Sequence, residues 1–383
     1  MYQYLIIFYM AVLAISLIYL LVTAWITRNK LQVSQNKARL NTRQSLPLIS
    51  ILKPLKGLDD NLEENLRSFF QLDYPNYEII FGLQSYSDPA VEVAAKIIEE
   101  YDHIQAKIVT DPHKIGLNPK INNLYNMMPY AKGEYILISD SNTAVTPSFL
   151  SNMMLEFEDQ AVGLVTATIR GTGEKSIASA MENLHLNTFV SPSVFVAEVL
   201  TTIPVVIGKA ILISKDLLEK VGGFKALKDY LAEDYLLGLK VKEVGYKHKC
   251  APVFIDNLNQ NWTFERFLNR HSRWAKIRRH MHLSYYLLES LSNPITLSFV
   301  LGILLFNWIG VIQFFITIFL KYVHDIYLLR LFKKRIRIKH LALIPVKDLL
   351  IGLLWIIPFF RSNLSWRDNK FKIKKRSYIV LAS

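Results

Sequence analysis

A single cysteine, Cys250, stands among the 383 residues, so no disulfide can form within the chain, as expected of a reducing compartment. The glycine spacings of several common enzyme classes are also missing. There is no G-x-G-x-x-G and no G-x-S-x-G, which removes the main signals for dehydrogenases and α/β-hydrolases. Gly171-Thr-Gly-Glu-Lys-Ser176 looks like the tail of a phosphate loop but lacks the G-x-x-x-x-G-K-[ST] spacing. His280-Met-His282 has no third metal ligand nearby in sequence. No internal repeat or low-complexity segment occurs. Charge is absent from residues 4 to 27, a run longer than the ~20 residues that cross a bilayer. It begins almost at Met1 and is too long for a signal-peptide core, so an uncleaved anchor is expected.

Two more apolar blocks run from Pro294 to Leu320 and from Leu341 to Phe360, and hydrophobic residues reach 51% of the chain. The positive charge collects beside them. From Lys321 onward there are 15 Lys and Arg against 3 Asp and Glu, which supplies nearly all of the net charge of +13. Basic residues flanking apolar spans mark cytoplasmic flanks and anionic headgroups, so the partner of this charge is a membrane surface and not a nucleic acid. Arg28, Lys30, Lys37, Arg39 and Arg43 follow the first span and nothing basic precedes it, which places the middle of the chain in the cytoplasm. Basic clusters lie both before Pro294 and at 333–340, so a hairpin of two spans turning near Asn307 to Gly310 is expected. Lys347 and Asp348 are costly at the bilayer centre, so the third block reads as a re-entrant or interfacial segment.

The middle reads as alternating strands and helices. Leu48–Leu55, Tyr77–Leu83, Ala106–Thr110 and Glu134–Ser139 are short β-rich runs, with helical patterns near 60–71, 89–101 and 147–157. This alternation predicts an α/β domain with a mostly parallel sheet, in which ligands bind beyond the carboxyl ends of the strands. Asp88 and Asp140 stand at such ends, and Glu233-Asp234 opens a helix. A lone Asp in such a place is commonly a turn residue or helix cap. Asp140 is singled out because Asn142 supplies a second oxygen two residues on, a pairing that suits a hard divalent cation holding a diphosphate. Phe264–His282 reads as a basic amphipathic helix at a membrane surface. On it Arg273 offers a planar donor fork for phosphate, beside the aromatic plate of Trp274.

The order Asp88, Asp140, Asp234, Arg270-His-Ser-Arg273-Trp274 resembles the D, D, D, (Q/R)xxRW pattern of processive and lipid-directed inverting glycosyltransferases. Ile51-Leu-Lys-Pro-Leu-Lys-Gly57, Gln71-Leu-Asp-Tyr-Pro75, Asn118-Pro-Lys-Ile-Asn-Asn-Leu124 and Leu231-Ala-Glu-Asp-Tyr235 are similar to the ceramide glucosyltransferases of glycosyltransferase family 21. The similarity extends to Ser365-Trp366-Arg367. The resemblance implies a GT-A fold, with Asp88 on the nucleoside, Lys120 on the donor phosphates and Arg270 in the donor site. It further implies Mg²⁺ or Mn²⁺ at Asp140 with Asn142, Asp234 as the base, and Arg273 and Trp274 lining the donor and acceptor site. The match departs at Ser191 and Val205, where eukaryotic members carry a histidine and a cysteine. A neighbouring branch with the same frame uses a UDP-N-acetylhexosamine and hopanoid lipids.

The expected architecture is then an N-terminal anchor (1–28), a linker (29–46), a cytoplasmic GT-A domain (47–282) and a transmembrane hairpin (283–332). A basic loop (333–340), a re-entrant or membrane-associated segment (341–362) and a basic tail (363–383) follow. The expected activity is inverting transfer of a hexose, first glucose from UDP-glucose, to a membrane lipid, first ceramide. Hopanoid or diacylglycerol transfer and polysaccharide synthesis are the enzymatic alternatives, the last needing a translocation channel. A transporter or scaffold with a degenerate transferase domain is the alternative of another class, and three intact acids speak against it.

Overall fold

Uncharged, β-branched runs such as Ile79-Ile80-Phe81 can be covered on both faces, as parallel strands require. In the computed structural model, which describes residues 2–37, 46–334, 337–366 and 369–381, they form the centre of an eight-stranded sheet. Its strands are β1 (Ile49–Pro54), β2 (Tyr77–Leu83), β3 (Ala106–Thr110), β4 (Tyr135–Ser139), β5 (Thr143–Ala144), β6 (Val162–Thr172), β7 (Ala210–Ser214) and β8 (Lys247–Leu258). They lie in the order β3-β2-β1-β4-β7-β6-β8-β5. The first four are mutually parallel, as the alternation predicts. The expectation of a mostly parallel sheet stops there. β7 runs antiparallel to both β4 and β6, β6 and β8 are parallel, and the sheet is mixed.

The chain divides into two compact units. The sheet unit comprises residues 30–173 and 197–260. Its core is built from Leu52, Ile80, Ile136, Ile138, Ile211 and Ile213 of the sheet, packed with Ile121, Leu124, Leu237 and Val241 of the helices Pro119–Met127 and Glu233–Glu243. After β1 the chain builds β2 and β3 on one side and returns to place β4 on the other. That reversal opens a crevice beyond the carboxyl ends of β1 and β4, where ligands of open α/β sheets bind.

The second unit comprises 1–29, 174–196 and 261–383. The first helix, Tyr2–Lys37, continues well past residue 28 into the expected linker, because Arg28, Asn29 and Lys30 carry polar ends that a helix can present to water beyond a membrane. Residues 38–45 of that linker, including Arg39 and Arg43, lie outside the described residues, as do Arg335, Arg367 and the last two residues. Among the described residues three helices are long and apolar enough to cross a membrane: Tyr2–Gln32, Trp308–Leu331 and Ile338–Phe359. The turn expected near Asn307 is present, with the Asn307 side chain accepting the Gly310 N–H at 3.0 Å and capping the second arm. The first arm, Pro294–Leu305, has 12 residues and rises only about 18 Å. It is joined to Leu283–Ser292 through a 77° bend, the geometry of a broken span or a re-entrant loop. The two arms approach closely at glycine: a Cβ on Gly310 would lie 2.9 Å from the Gly302 carbonyl oxygen, the small-residue contact that packs helices in lipid.

The charges that made the third block costly are paired. Lys347 meets Asp348 at 2.6 Å, and Lys321 meets Asp325 at 2.5 Å and Asp348 at 3.5 Å. The Lys321–Asp348 pair joins Trp308–Leu331 to Ile338–Phe359, so the desolvation cost is met by partners on the neighbouring helix. Phe264–Met281 belongs to this unit and not to the sheet unit with which residues 47–282 had grouped it. Its buried Phe267 packs with Ala178, Met181 and Trp262 and against Leu343, Leu350 and Ile351. A three-stranded sheet, Asn363–Trp366, Asn369–Ile373 and Ile379–Leu381, closes the chain.

Candidate active site

The crevice of the sheet unit is assembled by backbone stitches that the short sequence blocks supply. Asn118 caps the helix Pro119–Met127, its side chain accepting the Lys120 and Ile121 N–H groups at 3.0 and 3.2 Å, with Pro119 in the first turn. Asn122 accepts the Ile115 and Gly116 N–H groups, and Asn123 donates to the Gly82 carbonyl at the end of β2. The asparagines of Asn118-Pro-Lys-Ile-Asn-Asn-Leu124 therefore hold one helix against the strand ends and fix where Lys120 points. Asp88 performs a similar service. Both of its oxygens accept the Gly57 N–H, at 2.9 and 3.0 Å, and Oδ1 also accepts the Ala90 N–H.

Asp140, the first residue after β4, lies between two ammonium groups. Lys120 Nζ is 2.9 Å from Oδ1 and Lys209 Nζ is 2.9 Å from Oδ2. Burial pushes the Asp140 carboxyl up, but Lys120 and Lys209 together outweigh it and hold the group well below the usual carboxylate range. Lys209 also donates to Asn142 Oδ1 at 2.6 Å. Beneath them Lys53, fully buried in β1, donates to the Asp140 carbonyl at 2.9 Å, and burial drives its ammonium well below the ordinary lysine value.

Lys120 is shared. Its ammonium reaches Glu233 Oε1 at 3.1 Å and donates to the Gly208 carbonyl at 2.9 Å. Burial disfavours that charge, and Asp140 and Glu233 more than restore it. Glu233 is thus committed to an ion pair. Its neighbour Asp234, at the second position of its helix and not the cap, which is Ala232, faces elsewhere. Asp234 Oδ2 accepts the Gly208 N–H at 2.9 Å and Oδ1 its neighbour Tyr235 N–H at 2.7 Å. Burial first, then the Glu233 charge, raise its carboxyl to about 7. A carboxyl poised at neutrality is what a general base needs. Gly208 is required there, because an added Cβ would lie 2.8 Å from Asp234 Oδ2.

Among the described residues no group of three His, Cys, Asp or Glu side chains could hold a metal ion by itself. A divalent cation at Asp140 and Asn142 would draw its other ligands from phosphate and water, as Mg²⁺ commonly does. Glu233 and Asp140 already balance Lys120 and Lys209. A bound diphosphate would add charge that this set does not offset, so the oxygen donors and the local balance both fit such an ion.

Arg270, Arg273 and Trp274 lie on the helix Phe264–Met281 of the second unit. The Arg270 guanidinium stacks over Trp274 at 4.3 Å and Trp262 at 5.1 Å, and pairs with the buried Glu182 at 3.2 Å. Glu182 also takes His271 Nε2 at 2.7 Å, and His271 packs edge-on to Trp274 at 5.6 Å. Burial pushes Glu182 up, and Arg270 and His271 bring it below its ordinary value. Glu182→Gln is therefore expected to destabilise the protein by about 3 kcal/mol, read as a lower thermal midpoint. An unchanged midpoint contradicts the role of this pair in fixing the helix.

The sequence singles out Asp140, Asn142 and Asp234, and the structure joins them through Lys120, Gly208 and Lys209. It missed Lys53, Lys209, Glu182 and His271. Lys53 could have been noticed as a charge inside an apolar strand; Lys209 carries no spacing signal. The decoys are structural. Ser176 caps Ile177–His185 in a capping box, and His280 Nδ1 contacts the Lys276 carbonyl at 2.8 Å.

The family model described as glycosyl transferase family 21 matches residues 8–379. The "Ceramide glucosyltransferase 3" of Caenorhabditis elegans is 29% identical over 359 residues, covering 89% of this chain and 77% of that one. "Ceramide glucosyltransferase 1" of the same organism is 27% identical, covering 86% and 72%. Among solved structures, the mannosyltransferase from Pyrobaculum calidifontis in complex with GDP-Man and Mn²⁺ is similar with a TM-score of 0.51 at 14% identity, covering 91% of this chain and 99% of that one. At that identity the likeness speaks for the fold, which is of the GT-A type.

Proposed function

The chain belongs to glycosyltransferase family 21, and from that premise we propose that it transfers glucose from UDP-glucose to ceramide at the cytoplasmic face of a membrane, with inversion. The observation that carries the chemistry is Asp234, a half-buried carboxyl raised to about 7 and aimed by the Gly208 N–H. An acceptor hydroxyl attacks the anomeric carbon, Asp234 takes its proton, and the bond to the diphosphate breaks. An α-linked donor then yields a β-glycoside. General base catalysis of this kind is worth typically 10²–10⁴ in rate.

The remaining residues follow from the charge that develops. Lys120 meets the donor phosphates and Asp88 the nucleoside. Asp140 and Asn142 would hold Mg²⁺ or Mn²⁺, which supplies positive charge against the departing diphosphate. On the second unit, Arg270 braces the Arg-x-x-Arg-Trp helix through Glu182, and the family pattern gives Arg273 and Trp274 donor and acceptor roles. The names of the relatives support ceramide as acceptor. Ser191 and Val205 depart from the eukaryotic pattern, which keeps a hopanoid acceptor with a UDP-N-acetylhexosamine donor as the second reading.

The test is purified protein in detergent–lipid mixtures with UDP-glucose and ceramide, and in parallel UDP-N-acetylglucosamine and a hopanoid. Product in the first arm supports the proposal; product in the second alone replaces it. The orientation is tested separately. Reporters fused after Gly57 and within 333–340 are both expected to report the cytoplasm, and a signal from the opposite side at the second position contradicts the hairpin.

A further inference from the structure

Lys209 has no part in the scheme above, yet it lies against the turn that follows β4. Its ammonium lies 2.9 Å from Asp140 Oδ2 and 2.6 Å from Asn142 Oδ1. Those are the two oxygen ligands proposed for the divalent cation, and one ammonium holds both. A cation drawn in between the same oxygens would be pressed against a like charge.

The backbone beneath Lys209 is fixed. The preceding residue is tied at both ends, the Gly208 N–H donating to Asp234 and the Gly208 carbonyl accepting from Lys120. Lys120 is itself held from three directions, by Asp140, Glu233 and that carbonyl. Lys209 carries a compact charge that can turn on its four-carbon stem, and it touches both oxygens that would take the cation.

We propose that Lys209 is a ligand of the donor's diphosphate. When a nucleoside diphosphate and its cation enter, the ammonium exchanges Asp140 and Asn142 for phosphate oxygens and releases both to the metal. Until then the ammonium stands in for the cation and keeps the half-buried Asp140 carboxylate neutralised. Electrostatics favour the exchange, because the arriving diphosphate is negative and the arriving ion positive. No covalent bond changes. The proposal rests on the nucleotide-sugar reading, and the experiment separates the two.

Full-length protein in detergent is titrated with UDP in the presence of Mn²⁺, with uridine, and with Mn²⁺ alone. Lys209→Met is expected to weaken UDP binding about 10- to 100-fold, the worth of a lost charge-assisted bond. Uridine binding is expected to stay at the wild-type value, and Mn²⁺ alone to bind more tightly because its competitor has gone. Lys209→Arg should recover part of the UDP affinity. UDP binding at the wild-type level, or Mn²⁺ binding no tighter than wild type, overturns the exchange. Equal losses for UDP and uridine assign Lys209 to the fold and overturn it as well. Wild-type protein that binds neither UDP nor uridine overturns the nucleotide-sugar reading itself, and the proposal with it.

Discussion

Asp234→Asn is expected to lower transfer to lipid by about 10²-fold or more while donor binding changes little. Asparagine keeps the shape and one acceptor oxygen for the Gly208 or Tyr235 N–H, but it cannot take a proton near neutral pH. Glu233→Gln is the control. Its carboxylate is paired with Lys120 at 3.1 Å, so its loss is expected to weaken donor binding through a less firmly held Lys120. An active Asp234→Asn protein beside an inactive Glu233→Gln protein would show that the other carboxylate is the base.

The same assignment fixes a pH dependence. The base works ionised, and burial with the Glu233 charge raises Asp234 to about 7. Activity is therefore retained above that value and falls as pH drops through it, tenfold per unit at the acid limit. A kcat/KM profile flat from pH 5.5 to 8 contradicts this. Asp234→Asn should remove the acid limb along with most of the rate.

Asp140→Ala is expected to reduce transfer by at least about 10²-fold, the typical cost of deleting one preorganised electrostatic contact to a developing charge. Here the variant also removes the carboxylate that Lys120 and Lys209 share, each pairing with Asp140 at 2.9 Å. A lower thermal midpoint should accompany the loss, because two half-buried ammonium groups lose a counter-charge. The finer test is chelation of the wild-type protein. Transfer is expected to fall and to return with added Mg²⁺ or Mn²⁺. Full activity in excess chelator removes the metal from the account and leaves Asp140 as an anchor for the two lysines.

What the sequence made legible follows from how local each signal is. Tyr77–Leu83 and Ala106–Thr110 are found to the residue, because each is a short β-forming run with a break at one end, Pro75-Asn76 before the first and Asp111-Pro112 after the second. Asp140 was legible because a strand end and an oxygen two residues on are local facts. The long strands Val162–Thr172 and Lys247–Leu258 were not identified. They pair with each other across a distant part of the chain, and their neighbour β7 runs against the parallel direction that alternation implies. The ion pairs that unite the crevice were equally hidden. Lys120, Lys209 and Glu233 come from three segments that only the fold brings together, and Lys120 entered the reading through resemblance alone. Lys347 and Asp348 misread as a pure cost for the same reason, since the partner Lys321 sits on another helix.

Transfer of a β-linked hexose to ceramide through Asp234 can be read by lipid mass spectrometry of a ceramide-producing host carrying no transferase of this kind, transformed with the wild-type gene or with Asp234→Asn. A new monohexosylceramide, releasable by a β-glucosidase, is expected in the wild-type strain, with its near absence in the variant at matched protein level. No new glycolipid in either strain, a sugar on another lipid class, or equal product from Asp234→Asn would contradict this assignment.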